Sequence, residues 1–331
     1  MRIAILGAGA WGTALAVSLA RDHAIVLWSR STETCVYLHE RRAHPTALAG
    51  IRLPDEVDVC PLIEAALEPA QVVILATSVA GARPVLESVA RSGFRRTVIL
   101  ACKGFELDTG LLPHTLARSL LSPETSVLSL SGPSFASEVA AGQPTALVLA
   151  GERGAESRVA ARMVRELHHP HLRLYSSSDP VGVEVAGALK NVIAIAAGLC
   201  HGMGLGLNAR AALVTRGLAE MRRFGERIGA RPDTFLGLAG VGDLMLTCTA
   251  ALSRNYRVGQ QLAEGRPVDS ILSGLGEVAE GVPTARATAR LAGELAVEMP
   301  ICAAVLAVID GQQAPADALR ALLARDPRAE S

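Results

Sequence analysis

The chain is short of charge. Asp, Glu, Lys and Arg make up 19% of its 331 residues, below the roughly 25% usual in soluble domains, while 50% are hydrophobic. So sparse a charged surface implies extensive burial, in tightly packed helices or across a subunit interface. The charge that is present cancels, 32 basic residues against 32 acidic ones. No global field therefore recruits nucleic acid or an anionic membrane, and any anionic partner must meet a local site. The first residues, "MRIAILGAG", lack the basic n-region, apolar h-region and small-residue cleavage site of an export leader, so a cytoplasmic protein is expected. No run reaches the ~18–20 apolar residues of a spanning helix. The nearest, 191–207, is interrupted by His201, Asn191 and several glycines, and reads as a core helix followed by a glycine-rich bend. Cys35, Cys60, Cys102, Cys200, Cys248 and Cys302 are widely scattered with no C-x-x-C pair, which argues for reduced core thiols over a disulfide frame or zinc site. "HHPH" at 168–171 has no acidic or Cys ligands at metal spacing. It reads as an exposed turn, and no metal is expected. Internal repeats and low-complexity tracts are absent as well.

What is there begins with alternation. Apolar, β-rich runs at 2–7, 24–29, 70–77, 97–102, 126–131 and 145–150 are separated by helical stretches such as 12–21. Continuous apolar strands with helices between them indicate a parallel sheet covered on both faces. Region 31–69 is irregular in charge and proline. A surface helix from about 155 leads into the short run "LRLYSS", and "SDPVG" looks like a hinge. Beyond 184 the pattern is helical: 184–198, 209–228, 244–252, 254–264, 270–278, 283–295 and 300–310, with a Gly-rich loop at 237–242 and a polar, fraying tail "LLARDPRAES". The expected organisation is a Rossmann-like α/β domain over 1–180 and an all-α domain over 181–331.

"GAGAWG" at 7–12 is G-x-G-x-x-G between the first strand and first helix. Gly7 permits the tight turn, Gly9 lets backbone approach a pyrophosphate, and Gly12 allows close helix–strand packing. The helix N-terminus then offers its free N–H groups to phosphate. NAD-selective folds end the second strand on a carboxylate, but here it ends "LWSRST". Arg30 in that place suits a 2′-phosphate. The reading predicts that NADPH is used and leaves NADH use open; a plain solvated edge arginine is the alternative.

Other residues stand where ligands bind or where charge is costly. Lys103 in "CKGFE" and the stiff Gly132-Pro133 turn before Ser134 both follow strands, at the crevice where open α/β sheets bind ligands. Ser134 also suits a plain helix cap. Within "ALKNVIAIAAG" (188–198), Lys190 is the lone charge between Glu184 and Arg210, and Asp243 is alone between Asp233 and Arg254. Asp243 would serve as a cap, but two isolated opposite charges in apolar windows are more economical as a pair. "SRN" at 253–255 opens a helix with an arginine and amide donors, an anion site or merely a capped helix end. The dinucleotide phosphates already have the first helix, so a second anion site suggests a phosphorylated substrate.

With these segments in order, the chain resembles the bacterial-type NAD(P)-dependent glycerol-3-phosphate dehydrogenases. The likeness runs through "GAGAWGTALA", "CKGFE", "LKNVIAIAAG", "GLAGVGDLMLTCT", "SRN" and "EVAEGVPTA". It implies reversible NAD(P)H-dependent reduction of dihydroxyacetone phosphate to sn-glycerol 3-phosphate for phospholipid synthesis, by a protein that forms a homodimer. It also implies roles. Lys190 is the proton donor and acceptor; Asn191, Asp243 and Thr247 line the reacting end. Ser253, Arg254 and Asn255 serve the substrate phosphate, Lys103 meets both ligands, and Gly132 and Ser134 touch substrate. Ala10, Trp11, Arg30, Ala136, Arg254, Val278 and Glu280 lie on the dinucleotide. Ala279 replaces a valine common among relatives, which loosens packing without removing a polar role. A dehydrogenase of carboxylate-bearing hydroxy acids with the same architecture, and a non-catalytic nucleotide sensor, are the alternatives. The adjacent Lys-Asn pair and the "SRN" site argue against the first; two costly charges kept together argue against the second.

Overall fold

The computed structural model describes residues 1–275 and 278–323. Its first half is β1 (Arg2–Leu6), α1 (Ala10–Leu19), β2 (Ala24–Trp28), α2 (Thr32–Arg41), β3 (Val57–Cys60), α3 (Ile63–Leu67), β4 (Val72–Leu75), α4 (Ala82–Arg91) and β5 (Thr97–Leu100). There follow α5 (Pro113–Leu120), β6 (Ser126–Ser131), α6 (Ala136–Ala140), β7 (Thr145–Ala150), α7 (Ala155–Leu167) and β8 (Leu172–Ser177). The eight strands form one sheet in the order β3-β2-β1-β4-β5-β6-β7-β8. Apolar side chains on its two faces form separate cores, Ile3, Ile5 and Leu15 on one and Ala4, Leu6 and Leu86 on the other. That two-sided burial is what the uninterrupted apolar strands required.

Three features of this half depart from the sequence reading. The irregular region 31–69 contains the edge strand β3, whose Asp58 a sheet edge tolerates. The sheet is parallel except between β6 and β7, which pair antiparallel. The short helix α6 does not cross to the opposite end of the sheet. Val139 and Ala140 pack instead on Ala14 of α1, so the chain re-enters the sheet from the end it left. Finally, the 168–171 turn is not wholly exposed: His169 is buried and its Nε2 lies 2.9 Å from Ser18 Oγ, tying the turn to α1.

The second half is helical: α8 (Pro180–Gly202), α9 (Gly206–Arg227), α10 (Asp243–Thr249), α11 (Arg254–Ala263), α12 (Val268–Leu275), α13 (Gly281–Leu295), α14 (Pro300–Ile309) and α15 (Pro315–Leu323). Two residues of the expected helix at 270–278 and positions 324–331 of the tail lie outside the described residues. The glycine-rich stretch before α10 is not an open loop but a tight π-type turn, Leu238–Gly242. Helix α8 is long and apolar enough to cross a membrane by composition alone, yet its most apolar window is entirely buried within the protein. Asp179 starts it as an N-cap, accepting from Gly182 N at 2.9 Å.

Two glycines fix how α8 meets α11. A Cβ on Gly198 would lie 2.0 Å from Tyr256 O, and one on Gly259 would lie 2.0 Å from Ile195 O. The helices therefore touch backbone to backbone, and no larger residue fits at either place. Helix α8 also joins the halves. Its Glu184 accepts from Ser129 Oγ at 2.6 Å and from His114 Nδ1 at 2.7 Å, reaching both β6 and α5. Burial depresses the imidazolium, but the Glu184 carboxylate outweighs it, and the His114 pKa is raised.

Candidate active site

Charged side chains from both halves converge beside α8. Lys190 Nζ donates to Asp243 Oδ1 at 2.6 Å and to Thr247 Oγ1 at 3.0 Å. The Thr247 hydroxyl donates to the carbonyl of Asp243 at 2.6 Å, so its lone pair faces the lysine. The expected pairing of two isolated charges is present. Asp243 is not a cap: Gly242 holds that position and the carboxylate turns toward the ammonium groups.

The sequence reading missed a third member. Lys103, just after β5, donates to Asp243 Oδ2 at 2.8 Å. The reading gave it as a contact to both ligands but not as a partner of Asp243, although it too is the lone charge between Arg96 and Glu106. It passes beside Gly187, where a Cβ would lie 2.9 Å from Ser131 Oγ and 3.5 Å from Lys103 Cγ. With glycine there, α8 runs close against the carboxyl ends of the strands. Asp243 is 0% exposed and Lys190 7%.

Electrostatics follow from that burial. Desolvation lowers the Lys190 pKa, Asp243 raises it and Lys103 lowers it again, leaving it at about 8. For Asp243, burial pushes the carboxyl up, but Lys103 and Lys190 together hold it below the ordinary carboxylate range. Two ammonium groups around one carboxylate leave a net positive charge in a water-poor site, suited to negative charge developing on a substrate oxygen.

The β1–α1 turn fits a dinucleotide. Gly7 has φ +120, and a Cβ there would lie 2.8 Å from the Ala76 backbone. A Cβ on Gly12 would lie 1.8 Å from Gly7 O, whereas one on Gly9 meets nothing within 4 Å. Thus two glycines close the turn and the third faces open space, the division of labour this motif requires. Helix α1 has no side-chain cap on its first N–H groups. Trp11 Nε1, in the first turn of α1, and Thr77 Oγ1, just after β4, are buried without a protein partner. Ala10 opens α1, Ala136 opens α6, and Arg30 stands exposed beyond β2.

The remaining candidates surround the charged cluster. Gly132 has φ +144, and the Ser134 hydroxyl donates to its carbonyl at 3.0 Å instead of capping α6. A Cβ on Gly242 would lie 3.7 Å from Pro133 Cγ, so this loop adjoins the turn that delivers Asp243. Ser253 caps α11, accepting from Tyr256 N at 3.2 Å. Asn255 Nδ2 donates to Asn191 Oδ1 at 2.9 Å. Val278 is exposed, whereas burial raises the Glu280 carboxyl to about 6, against the opposing pull of the Val79 N–H and Arg254. Ala279 is buried among the helical core. Among the described residues no group of His, Cys, Asp and Glu could hold a metal.

Comparison with known proteins gives the same assignment along both halves. Residues 2–156 match the family profile described as NAD-dependent glycerol-3-phosphate dehydrogenase N-terminus, and 179–320 match its C-terminus. The glycerol-3-phosphate dehydrogenase [NAD(P)+] of Dechloromonas aromatica is 51% identical over 330 residues, covering 100% of this chain and 99% of that one. That of Methylibium petroleiphilum is 50% identical over 334 residues, covering 100% and 98%. The crystal structure of glycerol-3-phosphate dehydrogenase from Coxiella burnetii superposes with a TM-score of 0.93 at 34% identity, covering 98% of this chain and 99% of that one. A glycine-rich dinucleotide turn, a buried Lys-Asp-Lys cluster and matches to both family profiles agree, and the chain belongs to the NAD(P)-dependent glycerol-3-phosphate dehydrogenase family.

Proposed function

We propose that the chain catalyses the reversible NAD(P)H-dependent reduction of dihydroxyacetone phosphate to sn-glycerol 3-phosphate. The observation that carries this reading is the buried Lys103–Asp243–Lys190 cluster, with the start of α11 joined to the same helix through Asn191 and Asn255. Residues 1–180 are the dinucleotide-binding domain and 181–331 the helical substrate domain, each lending residues to the other's ligand. The bound nicotinamide supplies a hydride to the ketone carbon. As that carbon is reduced, its oxygen takes on alkoxide character and needs a proton. Lys190 gives the proton, and its charge with that of Lys103 stabilises the oxygen. Asp243 keeps both lysines in place, and Thr247 orients Lys190. Arg254 and the first N–H groups of α11 hold the phosphate, so the three-carbon chain presents its carbonyl to one proton donor. Lys103, Gly132, Ser134 and Asn191 line the substrate. Gly7, Gly9, Ala10, Trp11, Gly12, Arg30, Ala136, Val278 and Glu280 face the dinucleotide. A cytoplasmic homodimer supplying glycerophospholipid synthesis, without a metal, completes the reading.

Loss of NADPH absorbance on adding dihydroxyacetone phosphate tests it. Equal turnover of unphosphorylated dihydroxyacetone would remove the phosphate site, and no turnover of either would remove the reaction.

The Lys190 pKa of about 8 sets the pH dependence. Reduction needs the ammonium form, so kcat/KM for dihydroxyacetone phosphate should fall as pH rises through about 8. Oxidation needs the neutral amine, so kcat/KM for glycerol 3-phosphate should rise over the same interval. Parallel profiles in the two directions would contradict the assignment.

Cofactor choice rests on Arg30. Arg30→Asp removes a charge-assisted partner of a 2′-phosphate and adds repulsion, so KM for NADPH should rise about tenfold with little change for NADH. An unaltered NADPH to NADH ratio would make Arg30 an ordinary surface residue.

A further inference from the structure

The start of α11 is tied to two other elements through one side chain. Asn255 is buried, and its amide is occupied inside the protein. Its Nδ2 donates to Asn191 Oδ1 at 2.9 Å, on the residue after Lys190. Its Oδ1 accepts from Gly281 N at 2.9 Å, at the start of α13. A backbone N–H can only donate, so the Gly281 bond fixes which end of the Asn255 amide faces which neighbour. Asn191 Nδ2 in turn donates to Gly187 O at 3.3 Å. The packing leaves no slack: a Cβ on Gly281 would lie 2.7 Å from both Asn191 O and Asn255 Oδ1.

The far end of this chain of bonds reaches the dinucleotide half. Glu280, next to Gly281, accepts from the backbone N–H of Val79, which follows β4. Four residues beyond Glu280, Thr284 Oγ1 would lie 3.4 Å from a Cβ on Gly104, after β5. The segment held by Asn255 therefore abuts the carboxyl ends of β4 and β5, beside α8.

We propose that Asn255 is a positioning residue that holds the 280–281 loop against the dinucleotide crevice, so that one side chain sets both the helix start that receives the substrate phosphate and the loop that meets the cofactor. This rests on the functional reading above for the identity of the two ligands. Binding at the two places is then coupled, because each ligand orders a partner of the same amide.

The test is the dissociation constant of NADPH in the absence of substrate, followed by fluorescence, beside the KM for dihydroxyacetone phosphate. Asn255→Leu removes both bonds at similar volume and leaves the Gly281 N–H unpaired, so NADPH should bind about tenfold more weakly. Asn255→Asp keeps an acceptor for Gly281 N and adds a charge that the first turn of a helix favours. Its second oxygen now faces Asn191 Oδ1 where Nδ2 donated, so it should recover part of the NADPH affinity lost in Asn255→Leu while KM for dihydroxyacetone phosphate stays raised, because the new carboxylate repels phosphate. If Asn255→Leu does not fold by circular dichroism, Asn255→Ser, too short to reach both partners, takes its place. Unchanged NADPH affinity in the folded Leu or Ser variant would overturn the proposal. So would Asn255→Asp binding as weakly as that variant. A wild-type chain that binds NADPH but does not reduce dihydroxyacetone phosphate would remove the functional reading and leave the NADPH comparison standing.

Discussion

Replacing Lys190 by alanine should lower kcat for dihydroxyacetone phosphate reduction by about a thousandfold or more, since general acid catalysis and charge stabilisation are lost together. The fold should survive. Asp243 keeps Lys103 at 2.8 Å as a counter-charge, so the truncation does not strand a buried carboxylate, the usual cause of collapse when one partner of a buried pair is removed. NADPH binding should be unaffected, because the β1–α1 turn and α1 lie in the other half of the chain. Single-turnover kinetics with bound NADPH would separate the chemical step from release. A variant with near-normal kcat would take Lys190 out of the reaction.

Asp243→Asn should act on stability and chemistry at once. The amide nearly matches the carboxylate in shape but not in charge, leaving Lys103 and Lys190 together without an anion in a buried site. Loss of one partner from such a cluster costs about 3–5 kcal/mol, which urea unfolding would register. The chemical signature is separate. Asp243 is the group that raises the Lys190 pKa against burial and Lys103, so without it the fall in reductase activity with rising pH should move to lower pH. The sign is what matters: a shift to higher pH would mean that Asp243 does not stabilise the ammonium form. Unchanged stability together with an unchanged pH profile would reduce Asp243 to a spectator.

The parts of this site that local sequence could reveal were those with a local physical anomaly. A charge alone in an apolar window is costly wherever the chain goes, which made Lys190 and Asp243 legible and suggested their pairing. The G-x-G-x-x-G turn was legible because its glycines answer to contacts within one βαβ unit. Lys103 obeyed the same isolation rule, but its pairing with Asp243 joins residues 140 positions apart, a tertiary fact. The Asn191–Asn255–Gly281 bonds were hidden for the same reason: an amide carries no charge whose isolation could betray it. Strand β3 was hidden by its shortness and polarity, both tolerated at an edge. The reversal at β7 followed from where α6 packs, which the strand pattern does not encode. Family resemblance supplied what local physics could not, chiefly the identity of the substrate.

The crossing of α8 and α11 has a consequence for tolerance to change. Most spacings inside a protein are set by side chains and drift when residues are exchanged. Here the interval between the helix that carries Lys190 and the helix that starts at Arg254 is set by main chain against main chain at Gly198 and Gly259. Core residues elsewhere can be traded without altering that interval, whereas a single added methyl at either glycine would pry the two helices apart. The ruler between Lys190 and the start of α11 is thus written in two absent side chains.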